Sequence, residues 1–275
     1  MPADIRSPRE QADSPAITVV VPTLDSHQLL PRLVGSLQEQ TWPHWRVLFI
    51  DGPSGPAHRA WLEALCASDQ RFSWQSQDPG ERSIFGAMNQ GMAAAGAQAT
   101  WLLFWGSDDW AAGPAVFAKL IDSLTVACAR GEAPDLLVCT GRYASVEPGG
   151  TLRLGRRTAF RWRRSFRRSL FLGSTPPHQA TMIGPGARRL VARHAPGFLL
   201  SADLDYFLQL SRFPALRIAQ LDLELVDMAE GGVSGQRTGR RLQEVRQAYR
   251  RAFGWLWWIP FLLRYVQRIE SLLRL

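Results

Sequence analysis

Apolar positions along the chain keep two rhythms that take turns. ITVVVP (17–22) is a continuous β-branched run, which predicts a strand buried on both faces. Leu29, Leu30, Leu33, Val34 and Leu37 then recur at helical spacing. RVLFID (46–51) predicts a second buried strand, followed by a Gly/Pro turn and a helix around 57–67. Residues 71–76 predict a third strand, 84–96 a helix of small residues, TWLLFW (100–105) a fourth strand and 114–127 another helix. Strands separated by helices form parallel βαβ units, so residues 16–130 predict a layered α/β domain.

In such sheets ligands bind beyond the carboxyl ends of the strands. Pro22-Thr23-Leu24-Asp25 follows the first strand, Asp51-Gly52 the second, Asp78 the third and Gly106-Ser107-Asp108-Asp109 the fourth. Any one of these would be an ordinary strand terminator or helix cap. Four in succession predict a rim that collects carboxylates. No GxxxxGK[ST] loop occurs, and no GxGxxG follows the first strand, which excludes a P-loop and a dinucleotide fold. Carboxylates without a glycine-rich cradle suit a diphosphate held through Mg²⁺ or Mn²⁺.

The 275 residues make one large domain or two modest ones, and 46% apolar against 20% charged residues excludes a wholly disordered chain. Cys66, Cys128 and Cys139 are too few and too scattered for a disulfide framework, which points to a reducing compartment. Residues 1–15 mix charges with prolines, lack the apolar stretch of a signal peptide and are expected to form a loose tail.

The net charge of +8 is unevenly spread. Residues 151–168 hold eight arginines and no acid, and residues 236–275 hold nine against Glu244 and Glu270, which leaves the rest of the chain at −7. Such asymmetry suits a nucleic-acid binder or a protein resting on anionic lipid. No helix-turn-helix, zinc or RNA-recognition signature accompanies it, so no nucleic acid is expected as a partner. The arginine run by itself predicts a solvated surface loop. In FGWLWWIPFLLRYVQRIESLLRL (253–275) the densest apolar stretch, 253–263, is about half the ~20 residues that a membrane span requires. Gly254 and Pro260 interrupt it, so no transmembrane helix is expected. Trp255, Trp257 and Trp258 between arginines suit a segment lying on an anionic membrane surface, and packing on the domain or on a second subunit is the other reading.

Several stretches, taken in order, resemble one family. ITVVVPTLDSHQLLPRLVGSLQEQTWPHWRVLFIDG is similar to the opening of the family 2 glycosyltransferases, inverting enzymes that use nucleotide-sugars. QDPGERSIFGAMNQG (77–91) and FWGSDDW (104–110) resemble that family's bacterial polysaccharide-building branch, as do PPHQATMI (176–183), SADLDYFLQL (201–210) and GGVS (231–234). The resemblance implies a GT-A fold, with a mostly parallel sheet flanked by helices and a helical C-terminal extension. Residues 16–130 would bind the donor, residues 131–235 would face the acceptor, and residues 236–275 would form a helical, basic and aromatic C-terminal segment. Pro22, Thr23, Asp25, Asp51, Asp78 and Asp108 would line the donor, with Asp51 accepting from a ring N–H of the base. Asp108 would carry the metal with Asp109 in support. His178, which as a lone histidine reads as a structural hydrogen-bonder, would by resemblance contact the metal or the diphosphate. Asp203 matches the general base, and Asp205, two residues on, is expected on another helix face, so that one of the two is solvated or capping. The acceptor would be a saccharide or lipid-linked, and the protein cytoplasmic and peripheral on the inner face of the cell membrane. Two departures stand out: Gly86 and Gly106 occupy positions where the family pattern has acids. They keep open an inactive transferase-like partner subunit, beside a basic nucleic-acid-binding α/β protein as the alternative that the charge suggests.

Overall fold

The computed structural model describes residues 16–96, 100–146, 151–229 and 238–273. The 1–15 tail and the 231–234 motif lie outside the described residues. The predicted alternation is present as β1 (Ala16–Thr23), α1 (Leu30–Gln38), β2 (Trp45–Asp51), α2 (Pro56–Ser68), β3 (Phe72–Ser76), α3 (Ile84–Ala94) and β4 (Thr100–Phe104). A short β5 (Asp109–Ala111) precedes α4 (Val116–Ala129). The chain continues as β6 (Leu136–Val146), β7 (Leu152–Thr158), α5 (Phe166–Phe171), β8 (Thr181–Ile183), α6 (Pro185–Leu190), α7 (Ala202–Leu210) and β9 (Ile218–Ala229). The chain closes with α8 (Thr238–Phe253), a 3₁₀ turn over Gly254–Trp257 and α9 (Trp258–Leu273).

All strands join one sheet in the order β3-β2-β1-β4-β8-β6-β9-β5. β1 to β4 are mutually parallel, β6 and β9 run the same way, and β8 and β5 are antiparallel insertions. The sheet buries both faces, which is why β1 reads as an unbroken apolar run. Ile17, Val19 and Val21 meet Phe49, Leu103, Leu33 and Phe117 on one side. Val20, Ile50, Leu102 and Phe104 meet Met88, Phe207 and Tyr249 on the other. The helix of small residues has a reason in this packing: a Cβ on Gly91 would lie 2.3 Å from Val20 Cγ1, so α3 rests directly on β1.

One expectation needs correction. Residues 152–158 are not a loop but an edge strand, β7, paired antiparallel to the outer half of β6 with its side chains almost all exposed. Backbone pairing needs no apolar side chains, so a run of arginines conceals it. In the C-terminal segment, Val245, Ala248 and Tyr249 of α8 are buried in the same cluster as α7. Beyond α8 the tail divides. Gly254, at φ +58, ends the helix, and Pro260 sits in the first turn of α9, where a missing N–H is tolerated. Trp257 and Phe261 pack onto the core, whereas Trp255 (80% exposed), Trp258 and Leu262 face outward.

Candidate active site

The carboxyl ends of β1, β2 and β4 converge through their own loops. Thr23 closes β1 and its hydroxyl donates to Asp51 Oδ1 at 3.0 Å. The Ser54 hydroxyl donates to the same oxygen at 2.6 Å, and His58 Nε2 from α2 lies 3.1 Å from it. Asp51 is 1% exposed, and its Oδ2 is buried with no hydrogen-bond donor on it, the nearest cation being Arg59 Nε at 3.7 Å. A buried carboxylate with one saturated oxygen and one unpaired oxygen is an acceptor awaiting a donor.

Asp25 ties the two loops together. It adopts φ +47, a left-handed conformation that aspartate tolerates. Its amide donates to Ser54 Oγ and its Oδ1 accepts from the Gly55 amide at 2.7 Å. The β4 loop joins through Ser26 and Ser107, whose hydroxyls are 2.8 Å apart, and the Ser107 hydroxyl also lies 3.2 Å from the Pro22 carbonyl. Asp78 belongs to the same rim: the Gln77 amide donates to the Asp51 carbonyl. Asp78 itself is exposed, and its side chain caps the Pro79–Glu81 turn by accepting from Gly80.

Asp108 and Asp109 diverge. Asp108 is half-buried at the loop's tip, and a Cβ on Gly106 would lie 2.6 Å from its Oδ1. Asp109, expected beside it on a metal, is instead buried in β5 and accepts from the Gly106 amide at 2.6 Å. Burial raises its carboxyl to about 8; the Gly106 hydrogen bond opposes this, and the Asp108 charge adds to it. The geometry makes Asp109 the residue that shapes the Asp108 loop. Among the described residues no three His, Cys, Asp or Glu side chains form a ready-made cage. Asp108 nevertheless fits Mg²⁺ or Mn²⁺ arriving with a diphosphate, because such ions take most of their ligands from phosphate and water.

His178 and His194, from the second half of the chain, meet β4 at Phe104. The His178 ring stacks on Phe104 with centroids 5.3 Å apart, four residues before Asp108. Burial holds its pKa below the usual imidazole range, against the opposing pull of Asp203, so the ring is neutral at pH 7 with a buried, unpaired Nε2. Asp203 stands half-exposed in the first turn of α7. Asp205 faces the other way, as the two-residue spacing predicts: it is 1% exposed and paired to Arg251 of α8 at 2.7 Å. A short α7 lying between the sheet and α8 leaves little of its surface open.

Some residues around the site escaped the sequence. Ser54, His58 and Arg59 surround Asp51, and only Ser54, three residues on, had a local signal. Asn89 lay inside a quoted motif without a role. Its amide donates to the His194 carbonyl, and its Oδ1 accepts from the His194 amide at 2.7 Å. His194 in turn packs edge-on against His178. Gly86 also finds an explanation: a Cβ there would lie 2.0 Å from the Glu81 carbonyl oxygen, so the 79–81 turn occupies the space of a side chain.

The family model described as Glycosyl transferase family 2 matches residues 18–187, a span that holds the whole donor rim and His178 but ends before Asp203. No curated protein matches the chain. Among solved structures it is similar to Staphylococcus aureus TarS residues 1–349 in complex with UDP-GlcNAc (16% identity, TM-score 0.63, covering 86% of this chain and 67% of that one). It is similar also to the mannosyltransferase PcManGT from Pyrobaculum calidifontis with GDP-Man and Mn²⁺ (13% identity, TM-score 0.61, covering 93% and 70%). A third is glucosyl-3-phosphoglycerate synthase from Mycobacterium tuberculosis with Mn²⁺, UDP and phosphoglyceric acid (15% identity, TM-score 0.58, covering 90% and 81%). At these identities the likeness is one of fold, the expected GT-A architecture. The chain spans 64% of another TarS 1–349 structure and 39% of a longer TarS chain.

Proposed function

The chain belongs to glycosyl transferase family 2, and from that premise we propose that it moves a sugar from a nucleotide-diphosphate sugar to a hydroxyl acceptor, with inversion, in cell-surface polysaccharide or lipid-linked glycan synthesis. The observation that carries the reading is Asp51: a buried carboxylate at the end of β2, one oxygen saturated by Thr23 and Ser54 and the other with Arg59 at 3.7 Å but no hydrogen-bond donor. A nucleobase N–H supplies the missing donor. Pro22, Asp25 and Asp78 border the same pocket.

Asp108, with the unpaired nitrogen of His178, would hold Mg²⁺ or Mn²⁺ against the diphosphate. When bound, the ion stabilises the negative charge that develops on the leaving group. Asp203 takes the proton of the acceptor hydroxyl as its oxygen bonds to the anomeric carbon, and the electrons of the broken C–O bond leave with the nucleoside diphosphate. A single in-line displacement inverts the anomeric centre. Asp109 has no contact with substrate in this scheme.

No helix among the described residues is long and apolar enough to cross a membrane. The outward Trp255, Trp258 and Leu262 support peripheral attachment to the inner face of the cell membrane, with the protein in the cytoplasm. The test of function is a panel of nucleotide-sugars with Mn²⁺ or Mg²⁺. Donor-specific thermal stabilisation with release of nucleoside diphosphate is the expected result. No response to any donor would favour the inactive partner subunit, the reading that Gly86 and Gly106 support.

A further inference from the structure

A cleft of about 510 Å³ is lined by Trp162, Arg163, Arg164, Arg168 and Leu172, none of them a residue of the carboxylate rim. We propose that it is a phosphoryl-binding site, which takes a phosphate carried by the acceptor or by the lipid on which the acceptor is built.

Three observations converge. The three guanidinium groups lie on one cleft, and no carboxylate among the described residues is paired with any of them, whereas Arg142, Arg157, Arg193, Arg240 and Arg251 all have acidic partners. Uncompensated guanidinium forks suit the oxygens of a phosphate ester. Second, Arg164 adopts φ +66 at the centre of a three-residue turn closed by the Ser165 amide on the Arg163 carbonyl at 2.8 Å. A bulky side chain in the left-handed region is strained, and such strain gathers at ligand clamps. Glycine would relieve it but would bring no cation to the cleft. Third, the cleft is larger than a phosphate alone requires. The exposed Trp162 ring and Leu172 offer an apolar wall to whatever carries the phosphate.

The cleft also belongs to the acceptor half. Trp162 packs edge-on against Phe160, Phe160 against Phe166, Phe166 against Phe207 of α7, and Phe207 against His178. Four ring contacts of 5.7–6.5 Å thus join the arginines to the helix that carries Asp203. Only the assignment of the phosphate to an acceptor rests on the transferase reading; the site itself does not.

The test uses the full chain without donor and with EDTA, so that turnover plays no part. Inorganic phosphate is titrated calorimetrically, and vesicles of phosphatidylcholine with and without phosphatidylglycerol are tested by co-sedimentation. The variants are R164A/R168A, exposed positions whose loss spares the core, and D108A. Saturable phosphate binding is expected in the wild type and in D108A, weaker by about tenfold or more in R164A/R168A. Loss in R164A/R168A of phosphatidylglycerol-dependent sedimentation, with no binding of free phosphate, would support the site and assign the phosphate to lipid. No saturable binding of either probe, or equal binding by R164A/R168A and wild type, would overturn it.

Discussion

Arg251 Nη1 lies 2.7 Å from Asp205 Oδ2, so α8 is pinned to the helix that carries Asp203, two residues away. A second clamp holds the entrance of the same helix: Glu244 of α8 accepts from the backbone amides of Leu199, Leu200 and Ser201. Asp205 is buried, whereas Arg251 is partly open to solvent, so the pair is worth less than a fully buried one. Arg251→Ala should destabilise the fold by about 1–3 kcal/mol, because it leaves a buried carboxylate unpaired. Urea unfolding would measure it, and an unchanged midpoint would remove the clamp from the account.

The same pair gives a pH dependence. Burial pushes the Asp205 carboxyl up to about 6, against Arg251 and Gln209. The folded state therefore holds a proton that the unfolded chain has released, and its favourable contribution fades as pH rises from about 4 towards 6. Asp205→Asn mimics the protonated form. Relative to wild type it should become more favourable on going from pH 4 to pH 7, as read from paired unfolding curves.

Asp203 and Asp108 should separate in their effects. Asp203→Asn should abolish transfer and leave donor binding nearly intact. Asp108→Ala should weaken metal-dependent donor binding by about tenfold or more, as expected for a lost charge-assisted contact. Calorimetry with nucleotide-sugar and Mn²⁺ measures both, and unchanged donor affinity in Asp108→Ala would count against its metal role.

Restoring an acid at position 86 should not restore anything. The Glu81 carbonyl that blocks a side chain there also accepts from Gln77 Nε2, so the turn cannot yield without losing that bond. Gly86→Asp should cost about 1–3 kcal/mol of stability through overpacking. An equally stable, more active variant would show the turn to be adaptable.

Removal of residues 254–275 should spare the α7–α8 clamps, which lie before Gly254. If the outward tryptophans rest on anionic lipid, the shortened chain should lose any co-sedimentation with phosphatidylglycerol vesicles that depends on them. Sedimentation of both forms to the same extent would refute that role for the tail.

The donor half was legible because its signals are local. β-branched runs give strands buried on both faces, and the acids that end them fall on one rim by topology alone. Thr23, Asp51 and Asp108 needed only that rule, whereas the Ser54 hydroxyl, the His58 ring and the Asn89–His194 bonds depend on tertiary contacts across the fold. Asp109 looks like a twin of Asp108 in the sequence, but it opens the buried strand β5 and binds the Gly106 amide, while Asp108 stays in the loop before it. β7 was concealed because an edge strand can be made of arginines. In the tail, charge and tryptophan stand out, while the small and aromatic residues of α8, Val245, Ala248 and Tyr249, supply core.

Gly91 has a consequence for the distance between the two halves of the protein. With no side chain between α3 and Val20, the helix has no cushion that could compress or swell. Asn89, two residues earlier, reaches to the backbone of His194 from that fixed height. The gap between β1 and the loop that carries His194 is thereby set like the thickness of a shim, by bare main chain against a valine methyl.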